Sequence, residues 1–184
     1  MGTGQILLTV SALMVLGIII LSANSTLLEN ERVVMDSEFG VAAISLATSL
    51  VEEIQGKLYD AAAADSGITS LASLTPAGSL GPNTSERYRP TDSTKTDFND
   101  IDDFNNFYIE YVADPSKPKK ATYRGDSRGF RADYFMRAKV FYVYKTDLNG
   151  TAGIPTWHKK IIVSVASPSS RDTLVFPTII SYWN

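Results

Sequence analysis

The sequence has no cysteine and only one histidine, His158. Without thiols there are no disulfides, no thiolate metal sites and no cysteine nucleophile. A single imidazole leaves little room for histidine-based catalysis. His158 sits between Trp157 and Lys159 at the start of a strand pattern, with no carboxylate beside it, and reads as structural. No G-x-S-x-G elbow and no phosphate-binding glycine loop is present. Glu52 and Glu53 are adjacent, but consecutive helical side chains point about 100° apart and do not converge on a substrate. No enzyme activity is expected. Neither sign of charge dominates: 17 Lys and Arg face 20 Asp and Glu, for a net charge of −3. That balance leaves no electrostatic footprint for nucleic acid. Two further absences concern the amino-terminal part. No proline precedes Pro76, and no charged side chain precedes Glu29.

The uncharged stretch is filled with apolar residues. Residues 6–23 read ILLTVSALMVLGIIILSA, and about 20 such residues span a bilayer as a helix. Three readings compete. A cleaved secretory signal needs a basic leading region, whereas the first basic side chain here is Arg32. A plain single-pass anchor normally carries flanking Lys or Arg that orient it, and these too are missing. The third and favoured reading is a subunit whose apolar helix leaves the bilayer and packs against copies of itself. Ser11, Gly17 and Ser22 are small enough to allow close helix approach. Gly17 is also a point of local weakness, since glycine costs a helix interior roughly 1 kcal/mol.

From Val33 to Leu58 the apolar spacing is helical. Val41, Ile44, Ala47, Val51, Ile54 and Leu58 fall in one arc, which Leu46 and Leu50 widen past half the circumference. Ser45, Ser49, Glu52 and Glu53 take the remainder. A helix lying on one sheet needs a narrower apolar stripe, so the extra width asks for a second partner or for deep burial. Glu29, Glu31, Asp36 and Glu38 form a solvated collar between the two halves, with Arg32 one turn from Asp36. Gly40 and Gly56 are mild weak points. Together the halves predict one helix of about 55 residues, or about 80 Å, far longer than a small domain can cover.

Residues 61–106 change character to a Ser/Thr/Gly/Pro-rich connector with Pro76, Gly78, Gly81, Pro82 and Pro90. A loop this long has a role in a compact domain; in an assembly it offers a contact surface. The remainder is β. FYIEYV (107–112) is one strand. Residues 134–145 alternate, with Met136, Ala138, Val140 and Tyr142 on one face and Arg137 and Lys139 on the other. Residues 159–166 repeat this, with Ile161, Val163 and Val165 against Lys160 and Ser164. The Asn149-Gly150 turn signal lies between them. Residues 174–182 form a fourth strand, which is an edge or is bulged because Pro177 cannot donate to a ladder. The predicted fold class is therefore α+β: a long amino-terminal helix packed by its second half on an antiparallel sheet of about four strands. The expected divisions are residues 1–28 (hydrophobic helix), 29–60 (amphipathic helix), 61–106 (connector) and 107–184 (β head).

The densest polar cluster is Asp97, Asn99, Asp100, Asp102, Asp103, Asn105 and Asn106. Carboxylate and amide oxygens suit Ca²⁺, so Asp97, Asn99, Asp100, Asp102 and Asp103 are candidate ligands. The spacing is not that of an EF-hand, and the competing reading is an acidic turn with Asx caps. No other cofactor is expected. Glycosylation sequons occur at Asn24, Asn83 and Asn149, the last two in predicted loops.

The short start MGTG, the run QILLTVSALMVLGIIIL, the amphipathic ATSLVEEIQGKLYD, the long connector and the closing antiparallel sheet resemble the type IV pilin and pseudopilin superfamily. FNDIDDFNNF is similar to acidic segments that follow the helix in some pseudopilin-like proteins. The resemblance implies a helical homopolymer with the hydrophobic helices bundled at its core and β-rich heads outside. It implies a precursor held in the inner membrane, with an assembly ATPase and a platform protein as partners. It puts Ile6, Leu7, Leu8, Val10, Leu13, Met14, Leu16, Gly17, Ile18, Ile19, Ile20 and Leu21 in the filament core. Where the family carries a basic leader, MGTG has none. Where the family has a glutamate at the fifth mature position, this chain has Thr9 if cleavage follows Gly4, or Leu7 if it follows Gly2. Gln5 and Thr9 are the polar groups placed to substitute for that carboxylate. The minor pseudopilin of a secretion machine and a membrane-anchored, monomeric β-domain binding module are the alternatives.

Overall fold

The computed structural model describes residues 2–63, 67–91, 93–114, 116–125, 132–170 and 172–183. Met1 of the MGTG start and residues 64–66 and 92 of the connector lie outside them. The chain divides into two units, Met1–Gly40 and Val41–Asn184. One helix, α1 (Thr3–Gln55), forms the first unit and opens the second.

In the first unit every residue from Gly2 to Glu38 is exposed except the half-buried Gly17. The helix runs through both Gly17 and Gly40 without a break. Five of its hydroxyls are bonded within their own helix. Thr9 Oγ1 donates to Ile6 O at 2.9 Å and Ser11 Oγ to Leu8 O at 3.0 Å. Ser25 and Thr26 both donate to Ser22 O, and Ser37 donates to Val33 O. Such back-bonding lets Ser and Thr sit in an apolar surrounding without an unmet donor.

In the second unit α1 buries Ala43, Ala47, Leu50 and Ile54, a stripe spaced at the helical period. The helix stops at Gln55, short of the predicted end near Asp60. Gly56 follows, and Leu58 instead joins the connector in a short parallel bridge to Asp100. Leu58 N donates to Asn99 O and Ile101 N donates to Leu58 O.

Among the described residues the sheet has five strands: β1 (Phe107–Tyr111), β2 (Tyr123–Arg124), β3 (Tyr134–Tyr142), β4 (His158–Ala166) and β5 (Leu174–Ser181), in the order β2-β1-β3-β4-β5. The three pairings from β1 to β5 are antiparallel, whereas β1 and β2 are parallel. β2 is the element absent from the expected four. Two residues carry no periodic signal; Tyr123 is held by stacking on Phe107 and Arg124 by the Glu110 carboxylate. β3 buries Tyr134, Met136, Ala138, Val140 and Tyr142 as the alternation predicts. β5 is an edge strand, with Pro177 opposite Ile162 and its other side unpaired in the sheet order.

The connector is part of the core. Ile68, Leu74, Tyr88, Phe98, Ile101 and Phe104 are all buried. Tyr88, Phe98, Phe104, Phe107 and Tyr123 form one aromatic cluster, with Tyr88 and Phe107 edge to face at 4.7 Å. Pairs of this geometry add about 0.5–1.5 kcal/mol beyond their area. Between β3 and β4 the Asn149-Gly150 pair does not make the hairpin turn. Tyr144 bridges to Asp147, and Asp147 Oδ1 accepts from the backbone N–H of Asn149 and Gly150. The Asp side chain organises this loop, because it captures both donors that a two-residue turn would present.

Candidate functional site

Two features stand out from an ordinary α+β head: an uncovered apolar helix surface and a buried charge network. The first is built by residues 6–21. The expected filament-core side chains Ile6, Leu7, Leu8, Val10, Leu13, Met14, Leu16, Ile18, Ile19, Ile20 and Leu21 are between 47% and 76% exposed. The helix is long and apolar enough to cross a membrane, and none of its most apolar window is buried inside the chain. Exposure does not end at the charged collar. Val33, Val34 and Met35 are also exposed. In the second unit the head covers only part of the amphipathic arc: Val41 is 69% and Ile44 48% exposed beside the buried stripe.

The second feature centres on Lys159. It shares the inward parity of Ile161, Val163 and Val165 on β4 and is wholly buried. Its Nζ donates to Asp102 Oδ1 at 2.8 Å, to Asp60 Oδ2 at 3.2 Å and to Tyr59 O at 2.6 Å. The ammonium lies over the Tyr59 ring at 4.5 Å and the Tyr142 ring at 5.3 Å. Tyr142 Oη donates to Thr75 O, and Asp60 also accepts from Thr75 N. Burial and the Asp60 and Asp102 carboxylates push both tyrosine hydroxyls above their usual range. A buried ion pair is tolerable only when its remaining donors and acceptors are met. Among the described residues no buried side-chain nitrogen or oxygen lacks a partner.

The acidic segment is thereby accounted for residue by residue. Asp97 lies 3.6 Å from Lys57 Nζ and accepts from Arg89 N. Asn99 Nδ2 donates to Glu86. Asp100 Oδ1 accepts from the backbone N–H of Asp102 and Asp103, and Asp103 Oδ2 from those of Asn99 and Asp100. Asp102 faces Lys159. Among the described residues no three His, Cys, Asp or Glu side chains group as a metal site. Burial and the hydrogen-bonded Asp102 beside it push the Asp100 carboxyl up to about 8. Burial also raises Asp103, to about 6, although the Asn99 and Asp100 N–H groups pull the other way.

Glu110 forms a second buried ionic site. Its Oε1 accepts from Arg124 Nε at 3.0 Å and Nη2 at 2.8 Å, and its Oε2 from Lys120 N and Ala121 N. Burial alone would raise this carboxyl, but these donors outweigh it and hold it below the usual range. Glu53 is not a bare surface acid: Tyr88 Oη and Arg89 Nη2 both donate to it. Glu52 is exposed. His158 Nδ1 lies 2.6 Å from Ser181 Oγ across the β4–β5 pairing, a structural position. Asn24, Asn83 and Asn149 are exposed, Asn24 within α1 and Asn149 accepting from Lys160. Comparison of the chain with known family models, with characterised proteins and with solved structures finds no match.

Proposed function

We propose that this protein is a structural subunit of a type IV pilus-like extracellular filament that polymerises through its hydrophobic amino-terminal helix. The observation that carries the reading is how far apolar exposure extends along α1. A bilayer covers about 20 helical residues. The uncovered side chains continue past that length through Val33, Val34, Met35, Val41 and Ile44. Lipid would satisfy residues 6–28, whereas copies of the same helix would satisfy the whole surface. Burial of apolar area contributes roughly 25 cal/mol per Å², so a multi-helix core would supply the dominant favourable term. Before assembly the subunit waits in the inner membrane with its head outside the cytoplasm, and an assembly ATPase and a platform protein extrude it. Thr9 has its proton bonded to Ile6 O, which leaves its oxygen lone pairs free to accept from a neighbour's amino terminus.

Electron microscopy of material sheared from cells expressing the chain tests this. Filaments containing the protein are expected, and deletion of residues 2–28 is expected to yield a soluble monomer that never polymerises. A full-length chain found only as a membrane-embedded monomer, with the truncated head equally competent to bind its target, would replace this reading with a membrane-anchored binding module.

A further inference from the structure

We propose that Lys159 and Asp102 become joined by an intramolecular amide bond that ties the connector to β4. Three observations carry this. First, both groups are sealed from water, Lys159 at 0% and the Asp102 side chain at 4% exposure, with 2.8 Å between Nζ and Oδ1. Condensation of an amine with a carboxyl releases water, and a dry site opposes the reverse hydrolysis. Proximity of this kind replaces an encounter that is otherwise rare. Second, the three ammonium hydrogens have three separate acceptors, Tyr59 O, Asp60 Oδ2 and Asp102 Oδ1. An amide nitrogen keeps one hydrogen and loses two. Tyr59 O, at 2.6 Å, holds the one that stays, and the two carboxylates receive the two that leave. Third, Asp100 Oδ1 accepts from the backbone N–H of Asp102 and Asp103, which fixes the segment that presents the Asp102 carboxyl to Nζ.

The step balances without any co-reactant. Lys159 passes a proton to Asp60, and the freed nitrogen lone pair attacks Cγ of Asp102. The Nζ–Cγ bond forms and one Cγ–O bond breaks. That oxygen leaves as water with the two hydrogens lost from Nζ, one passed to it directly and one returned by Asp60, which ends as it began. One ammonium and one carboxylate become a neutral amide and one water. The Tyr59 and Tyr142 rings restrict where Nζ can move. The chain has no cysteine, so no disulfide could make this tie in its place.

The test is the intact mass of the full chain in detergent, followed by tandem mass spectrometry of its peptides. The expected mass is lighter than the sequence by one water, with the peptide containing Asp102 linked to the one containing Lys159 and no tryptic cleavage after Lys159. Asp102→Asn is expected to lose one ammonia instead, because the leaving group changes, and Lys159→Arg is expected to lose neither. A wild-type mass equal to that of the sequence overturns the proposal. So does a water loss that maps elsewhere, to a succinimide or to Asp60. The outcome is independent of whether the protein forms filaments.

Discussion

Replacing Leu13 with lysine separates burial in lipid from burial in a polymer. Leu13 lies near the middle of the uncharged run and is 67% exposed. In a membrane, Leu, Ile and Val near a helix centre contribute about −0.3 to −0.6 kcal/mol each, and a lysine costs about +2.5 to +3.5 kcal/mol. The other Leu, Ile and Val side chains between Ile6 and Leu21 together supply about −3 to −6 kcal/mol on that scale. The sum runs from about −3.5 to about +0.5 kcal/mol, and the lysine lowers it further by extending its ammonium toward the interface. The variant is therefore expected to remain in the membrane fraction. A filament core is less forgiving. Each subunit would lose the roughly 1.5–3 kcal/mol that burial of one leucine contributes, and would bury a charge with no partner at a further cost of several kcal/mol. Every subunit repeats the defect. Fractionation of membranes together with microscopy of sheared material is expected to find Leu13→Lys in the membrane and no filaments. Filaments at the wild-type level would refute the reasoning, since no polymer core could then enclose that position.

Val41→Glu and Ile44→Glu change side chains the head leaves uncovered, so unfolding of the head should move by no more than about 0.5 kcal/mol while filament yield collapses. Ile54→Ala, at a fully buried site, should cost about 2–5 kcal/mol in denaturant titration. Glu110→Ala removes the carboxylate from Arg124 and strands the Lys120 and Ala121 N–H groups, a loss of about 1–3 kcal/mol per stranded group at neutral pH. Because the folded Glu110 carboxyl lies below its unfolded value of 4.5, its stabilisation is present above that pH and is lost as pH falls through the lower folded value. The acid limb of thermal unfolding should flatten in the variant. Asp100 behaves oppositely. Its folded value is raised from 3.8 to about 8, so its contribution is complete below 3.8 and disappears as pH rises towards 8. Asp100→Asn keeps an oxygen for the Asp102 and Asp103 N–H groups and should make unfolding midpoints less dependent on pH across that window. An unchanged slope would remove Asp100 as the titrating group.

Much of the α+β layout was legible because its elements are long and periodic. The alternation in β3 has one inward face, and Pro177 on β5 excludes a central position, so both stand where the pattern puts them. The parity of β4 also carried a signal that the pattern of Ile161, Val163 and Val165 left unused. Lys159 is two residues before Ile161 and must share its face. What no local pattern reveals is the partner: Asp102 is 57 residues away and Asp60 is 99. The acidic run likewise drew attention as a set of oxygens, but their directions depend on backbone N–H groups and on Lys159. The connector misled by composition. Its serines, threonines and prolines describe the exposed backbone, while Ile68, Leu74, Tyr88 and Phe98 are scattered without a period and fill the core.

The amphipathic half of α1 is where sequence and structure together say more than either does alone. Apolar spacing shows how much of a helix wants cover; the fold shows how much has been given. Residues 41–58 carry an apolar arc of more than half the circumference, and the head takes the stripe of Ala43, Ala47, Leu50 and Ile54 from it. The uncovered remainder begins at Val41 and Ile44 and continues toward the amino terminus through Met35, Val34 and Val33. Solvation alone would favour polar residues there, as it does at Glu29, Glu31, Asp36 and Glu38. A lipid anchor accounts for residues before the collar but not for those after it. The residual surface is therefore the part of the sequence that the monomer leaves unexplained, and the neighbouring helix of the proposed filament would account for both sides of the collar at once.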